Sequence, residues 1–159
     1  MSIVKRADRQ HYMNTGTKEI PVWSLIGEGF TEFTESKNAV SYQRRYIHEA
    51  TKRNDITGYA PEIDYEFEVY SDSPVIEKIR LITDREMTGE AARIEVVSVD
   101  LFDEPEEKGI YNAVKREYSV IPDECGDGTD ALCYTGTMKA VGDITVGVFA
   151  KSSGTFSKK

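Results

Sequence analysis

The sequence predicts a mainly β protein: an antiparallel β-sandwich or open barrel with one α-helix along a flank. Residues 62–70, E-I-D-Y-E-F-E-V-Y, alternate acid and bulky apolar side chain, which is the period of a half-buried strand. The other apolar segments are mostly short, rich in Val, Thr, Tyr and Phe, and bounded by acidic, glycine-containing turns. One segment, S-D-S-P-V-I-E-K-I-R-L-I-T-D-R at 71–85, has clear helical spacing behind a serine cap.

In chain order, residues 1–19 are polar, carry the basic cluster Lys5, Arg6 and Arg9, and show no sustained period; they read as a flexible N-terminal arm. A folded domain is expected over 20–150. It opens with a strand in I-P-V-W-S-L-I-G (20–27) closed by G-E-G, followed by F-T-E-F-T-E-S and A-V-S-Y-Q-R-R-Y-I. Residues 47–61, with mixed charge, Asn54-Asp55, Gly58 and Pro61, read as an unusually long connection. Loops of that length without structure of their own are uncommon and tend to bind something.

The strand at 62–70 then places Ile63, Tyr65, Phe67 and Val69 on one face and Asp64, Glu66 and Glu68 on the other. The helix follows, with Ser73 as N-cap, Pro74 at the first helical position and a stripe of Val75, Ile76, Ile79 and Ile82 for packing on a sheet. From residue 91, four strand-like segments separated by the turns D-E-P-E-E-K-G, D-E-C-G-D-G-T-D and V-G-D predict an antiparallel meander. Residues 151–159 are small and polar and read as a flexible C-terminal tail. The total is seven or eight strands and one helix.

The 159 residues match one ordinary domain, and the formal charge of −8 opposes attraction to nucleic-acid phosphates. No apolar run reaches the roughly 18 residues that span a bilayer, and the start of the sequence lacks the apolar centre of a signal peptide, so no membrane partner and a cytoplasmic origin are expected. Cys125 and Cys133 fit no zinc spacing and are expected as two thiols.

The usual catalytic and nucleotide-binding motifs are missing, and His11 and His48 fall in the least ordered segments, so no catalytic residue, cofactor or metal site is expected. Asp123, Glu124, Asp127 and Asp130 offer oxygen ligands for calcium, but their spacing departs from an EF-hand and suits an acidic hairpin turn. The acids at 64, 66 and 68 need no function to face water. Their uniform sign is unusual, because like charges on one face repel where mixed charge costs less.

Two long blocks, R-R-Y-I-H-E-A-T-K-R-N-D-I-T-G-Y-A-P-E-I-D-Y-E-F-E-V-Y and Y-N-A-V-K-R-E-Y-S-V-I-P-D-E-C-G-D-G-T-D-A-L-C-Y-T-G-T-M-K-A-V-G-D, resemble the major tail tube proteins of tailed phages and prophages of Gram-positive bacteria. The resemblance covers roughly residues 30–150; the first 20 residues and the last few lie outside it. It implies a β-sandwich with one flanking helix and a structural, non-enzymatic role. Six copies would close into a ring, and rings would stack into a hollow tail tube through which the genome passes without specific binding.

It further implies a virion location in the tail, assembly in the host bacterial cytoplasm, and contacts with tape-measure, terminator and baseplate or distal tail proteins. The long loop, 47–61, would reach the adjacent ring, with Arg44, Arg45, His48, Lys52, Arg53 and Asp55 as contact candidates. Asp64, Glu66 and Glu68 would then line the lumen, where carboxylates leave phosphates nothing to bind, or would meet the basic residues of a neighbour's loop. The alternatives are a β-sandwich module binding calcium or carbohydrate, and a related ring protein such as a tail terminator or the inner tube of a contractile or secretion machine.

Overall fold

A computed structural model describes residues 1–103, 107–126 and 129–159. Its elements in order are β1 (Arg9–Asn14), β2 (Trp23–Ile26), β3 (Phe30–Ser36), β4 (Ala39–Arg44), β5 (Arg53–Tyr59), β6 (Glu62–Glu68), α1 (Pro74–Asp84), β7 (Arg93–Asp100), β8 (Ile110–Gly126), β9 (Cys133–Ala140), β10 (Thr145–Ala150) and β11 (Thr155–Lys158). Short 3-10 turns at Arg6–Asp8 and Gly89–Ala92 precede β1 and β7. Among the described residues the fold is mainly β and sandwich-like, with antiparallel pairing throughout, one α-helix and no closed barrel. No helix of the described residues is long and apolar enough to cross a membrane.

β8 organises the molecule. Its 17 residues pair with β7 over Ala113–Ser119 on one edge, while the other edge carries β10 over Ile110–Lys115 and then β9 over Tyr118–Gly126. One strand therefore belongs to two half-sheets: β2-β1-β7-β8 continuing to β10 and β11, and β8-β9-β6-β3.

The larger core lies between the half-sheets and is closed by α1. It holds Met13, Ile63, Tyr65, Phe67, Ile94, Val96, Val120 and Met138 with the helix stripe Val75, Ile76, Ile79 and Ile82. The stripe exists because 3.6 residues per turn bring those four side chains to one side. Ser73 Oγ accepts the Ile76 N–H at 3.3 Å, and Pro74 sets the first helical φ.

A second core forms on the opposite face of β1 and β7, where Tyr12, Val97, Val99, Ala113 and Phe149 are buried with Trp23 and Phe156 against them. Tyr12 and Phe149 stack at 4.5 Å although β7 and β8 lie between their strands, so this half-sheet is strongly curled. Glycines permit two of the close approaches. A Cβ on Gly136 would stand 2.5 Å from Tyr65 Oη, and one on Gly147 would stand 2.7 Å from the Phe156 ring.

Three expectations are corrected. Residues 1–19 are not one flexible arm, because β1 sits between β2 and β7 with Tyr12 and Met13 buried. Its sequence, R-Q-H-Y-M-N, reads as polar because its polar groups find distant partners: Arg9 pairs with Asp100, His11 with Ser98 and Asn14 with Glu95. Residues 151–159 are not simply a loose tail, since β11 pairs with β10 and places Phe156 near Trp23. The segment 47–61 is not a structureless loop, because β5 occupies Arg53–Tyr59 and pairs with β4. The eleven strands among the described residues exceed the seven or eight expected for the same reason: the extra ones are short or polar on both faces.

Candidate functional site

β6 runs through the middle of the half-sheet β8-β9-β6-β3, with Ile63, Tyr65 and Phe67 turned into the core at 1, 2 and 0% exposure. Alternation then turns Glu62, Asp64, Glu66 and Glu68 outward. Their β9 neighbours on the same face are Lys139 opposite Glu62, Thr137 opposite Asp64, Thr135 opposite Glu66 and Cys133 opposite Glu68. Thr34 and Thr137 flank Asp64, and Thr137 Oγ1 donates to Asp64 Oδ1 at 3.0 Å. Glu66 lies between Thr135 on β9 and Glu32 on β3.

Glu32 directly opposite Glu66 is an unfavourable like-charge pair, and among the described residues neither they nor Asp64 and Glu68 form an ion pair. The expected separation of faces is therefore present, and the acidic face is wider than β6 alone. Glu32 was legible only once the register of β3 on β6 was known.

The second surface is a hairpin that leaves the sandwich. The register at the end of β3 on β6, Ser36 facing Glu62, is kept at the start of β4 on β5, where Ala39 faces Tyr59, before it shifts between Val40 and Ser41. Ala60 N–H donates to the Asn38 carbonyl at 3.2 Å, and Asn38 Nδ2 donates to the Ala60 carbonyl at 3.0 Å. Asn38 takes φ 47°, a conformation asparagine tolerates, at the point where the strand leaves the body. Residues 30–68 thus form one long hairpin whose inner half is built into the sandwich and whose outer half projects as a two-stranded extension.

The root of the extension is anchored. Tyr118 Oη donates to Glu35 Oε2 at 3.0 Å, and Lys37 pairs with the same carboxylate. Burial works to raise the Glu35 pKa, but hydrogen bonds from Lys37 and Tyr118 outweigh it and hold the carboxyl below its ordinary value. Burial, with the adjacent Glu35 charge, pushes the Tyr118 hydroxyl up.

Beyond the root, Val40, Tyr42, Ile56 and Tyr59 are each half exposed or more, and Ile47 is fully exposed. The tip is ordered by its own side chains. Arg44 pairs with Asp55 at 2.5 Å and lies over the rings of Tyr42 and Tyr46 at 5.2 and 5.9 Å. Arg53 pairs with Glu49 and lies 5.2 Å from the Tyr46 ring, and His48 stacks parallel to Tyr46 at 6.3 Å. Of the candidates named from sequence, the structure brings together Arg44, Asp55, Arg53 and His48. Arg45 and Lys52 form no ion pair among the described residues. Sequence reasoning missed Tyr42, Tyr46 and Glu49. The tyrosines bracket the arginines in Y-Q-R-R-Y, a spacing that shows its meaning only once β4 is a strand turning at 45–52.

None of these basic residues pairs with Asp64, Glu66 or Glu68 within the chain, because the extension runs away from the acidic strand along the same ladder. Asp123 and Glu124 are exposed near the end of β8, and Asp130 is exposed before β9, while Asp127 lies outside the described residues. Among the described residues no three His, Cys, Asp or Glu are grouped to hold a metal ion. Cys125 and Cys133 lie on adjacent strands, Cys125 facing Tyr134 and Cys133 facing Gly126, and form no disulfide.

No family model and no curated protein matches the chain. Among solved structures, a chain in the six-fold symmetrised cryo-EM structure of the anti-feeding prophage baseplate superposes with a TM-score of 0.56 at 15% identity, covering 92% of this chain and 95% of that one. The chain shares its fold with a prophage baseplate component. At that identity the likeness concerns the path of the backbone, and it extends over nearly the full length of both chains.

Proposed function

We propose that this chain is a structural protein of a phage or prophage tail, assembling into six-membered rings that stack as a tube for the passage of the genome. The observation that carries the reading is the acidic half-sheet. Glu32, Asp64, Glu66 and Glu68 lie on one face and form no ion pair among the described residues, and Glu32 and Glu66 stand directly opposite each other at a cost in stability. A bore lined by such faces repels phosphate and denies passing DNA the Lys and Arg contacts that make it stick. In this reading Asp64, Glu66 and Glu68 face the lumen, the β4–β5 extension makes subunit contacts, and no residue is catalytic. The fold shared with a component of a six-fold symmetrised prophage baseplate supports it.

Negative-stain microscopy of concentrated protein tests the assembly, with rings or filaments around a central hole as the expected result. The triple variant Asp64→Asn, Glu66→Gln, Glu68→Gln tests the bore. It should assemble like the parent and retain DNA in a low-salt mobility-shift assay where the parent does not. Equal lack of retention by both proteins would remove the electrostatic role of the three carboxylates.

One observation favours a second reading, a ring at the end of a tail in place of a repeating tube: the structural neighbour belongs to a baseplate. In that case assembly stops at single rings at every concentration.

A further inference from the structure

The long hairpin gives the subunit a direction. At one end of the β6 axis stands the β4–β5 extension, with four cations against two anions. Residues 39–59 therefore carry +2 in a chain of −8, which leaves −10 for the remainder. Arg44 and Arg53 are held by Asp55 and Glu49, so the uncompensated charge sits at the tip on Arg45 and Lys52.

The other end of the same half-sheet is built from the stretches 27–34, 64–72, 119–126 and 129–137, which contain nine Asp and Glu and not one Lys or Arg. There Glu66, Asp123, Glu124, Cys133 and Thr135 line an open cleft of about 560 Å3. The seven residues of β6, about 20 Å of strand, separate the two ends, and the extension points away from the cleft. They cannot meet within one subunit.

The extension is also an unpartnered two-stranded sheet, with Val40, Tyr42, Ile56 and Tyr59 exposed at 51, 55, 61 and 57%. A hairpin of this kind is marginal alone in water and gains from being covered. Its tip is pre-organised by the arginine–tyrosine stack, so docking orders few side chains.

We infer that the extension of one copy docks on the cation-free end of the acidic half-sheet of the next copy, with Arg45 and Lys52 against Asp123 and Glu124. The proposal rests on the assembly reading for the identity of the partner and adds the receiving surface. The contact is heterologous: each copy offers one basic end and one acidic end, so association propagates along the strand axis and does not close a pair. Opposite charge steers the encounter and sets its direction, and two like ends repel.

The test uses full-length protein with the tip reversed (Arg45→Glu, Lys52→Glu), the cleft reversed (Asp123→Lys, Glu124→Lys), and both reversals in one chain, each with its fold checked by circular dichroism. Association is read by sedimentation velocity and negative stain at about 50 and about 500 mM NaCl. The parent should form assemblies that weaken with salt, each single reversal should weaken axial association at least about tenfold, and the combined variant should recover it.

Rings that stack equally well in the parent and both reversed proteins would overturn the inference and leave the ring reading standing. Linear, salt-sensitive chains without rings, lost in either reversal and recovered in the combination, would support the inference and remove the ring reading. A parent that stays monomeric throughout would overturn both, and a combined variant that folds without recovering association would overturn the pairing.

Discussion

His11 shows how much one side chain contributes to closing the sandwich. Its Nδ1 lies 2.9 Å from Ser98 Oγ on β7, its Nε2 lies 3.2 Å from Arg6 Nη2, and its ring meets Phe33 of β3 at 4.7 Å. A guanidinium only donates, so Nε2 accepts and Nδ1–H donates to the serine; the ring is neutral. Burial, then Arg6 and Arg9, lower its pKa to about 4 against the opposing charges of Glu35 and Asp100. The unfolded chain takes up this proton near the ordinary histidine value and the folded chain does so about 2.5 units lower, so stability falls as pH drops from about 6.5 to about 4. The loss amounts to about 3 kcal/mol at most. Urea midpoints measured across that range should show the fall, and His11→Gln should flatten it. A slope unchanged in the variant would assign it to other groups, with Glu35 the first to examine, since its depressed pKa also withdraws stability as pH falls below the ordinary glutamate value.

Among the elements, the two halves of the long hairpin have opposite energetics. The inner half, β3 with β6, buries Phe67, Tyr65 and Ile63, and Phe30 and Phe33 pack against that core. The outer half, β4 with β5, contributes no residue to either core. Replacing residues 39–59 by a short turn at the Asn38–Ala60 closure should therefore leave the thermal midpoint and the far-UV spectrum of the sandwich nearly unchanged while abolishing higher assembly. Unaltered filaments, or a collapse of the fold, would each contradict this division of labour. The helix belongs wholly to the sandwich, since its stripe Val75, Ile76, Ile79 and Ile82 is 0–3% exposed.

Over the whole molecule, β7 and β8 make the two cores interdependent. β7 sends Ile94 and Val96 to the larger core and Val97 and Val99 to the smaller, and β8 contributes Val120 to the first and Ala113 to the second. Neither core can open without freeing the strand shared with the other, so the domain should unfold in one transition. Trp23, the single tryptophan, packs on the smaller core and reports on it. Ile79→Ala in the larger core should destabilise by about 2–5 kcal/mol and move the Trp23 fluorescence transition together with the circular dichroism transition. Two separated transitions would show the cores to be independent.

What the sequence by itself determined is whatever has a local cause. The faces of β6 follow from a period of two, and the stripe and cap of α1 follow from a period of 3.6 behind Ser73 and Pro74. The acidic trio Asp64, Glu66 and Glu68 was legible for the same reason. Tertiary structure alone decided the rest, because it depends on partners far apart in the chain. R-Q-H-Y-M-N becomes an interior strand only through Asp100, Ser98 and Glu95, some 80 to 90 positions away. The apparent loop at 47–61 becomes half of a projecting hairpin only through its register with β4, and Glu32 joins the acidic face only through its register with β6. Opposite charge at the two ends of the long hairpin is likewise a property of pairing, since the stretches that create it are separated by tens of residues and meet only when the backbone hydrogen bonds form.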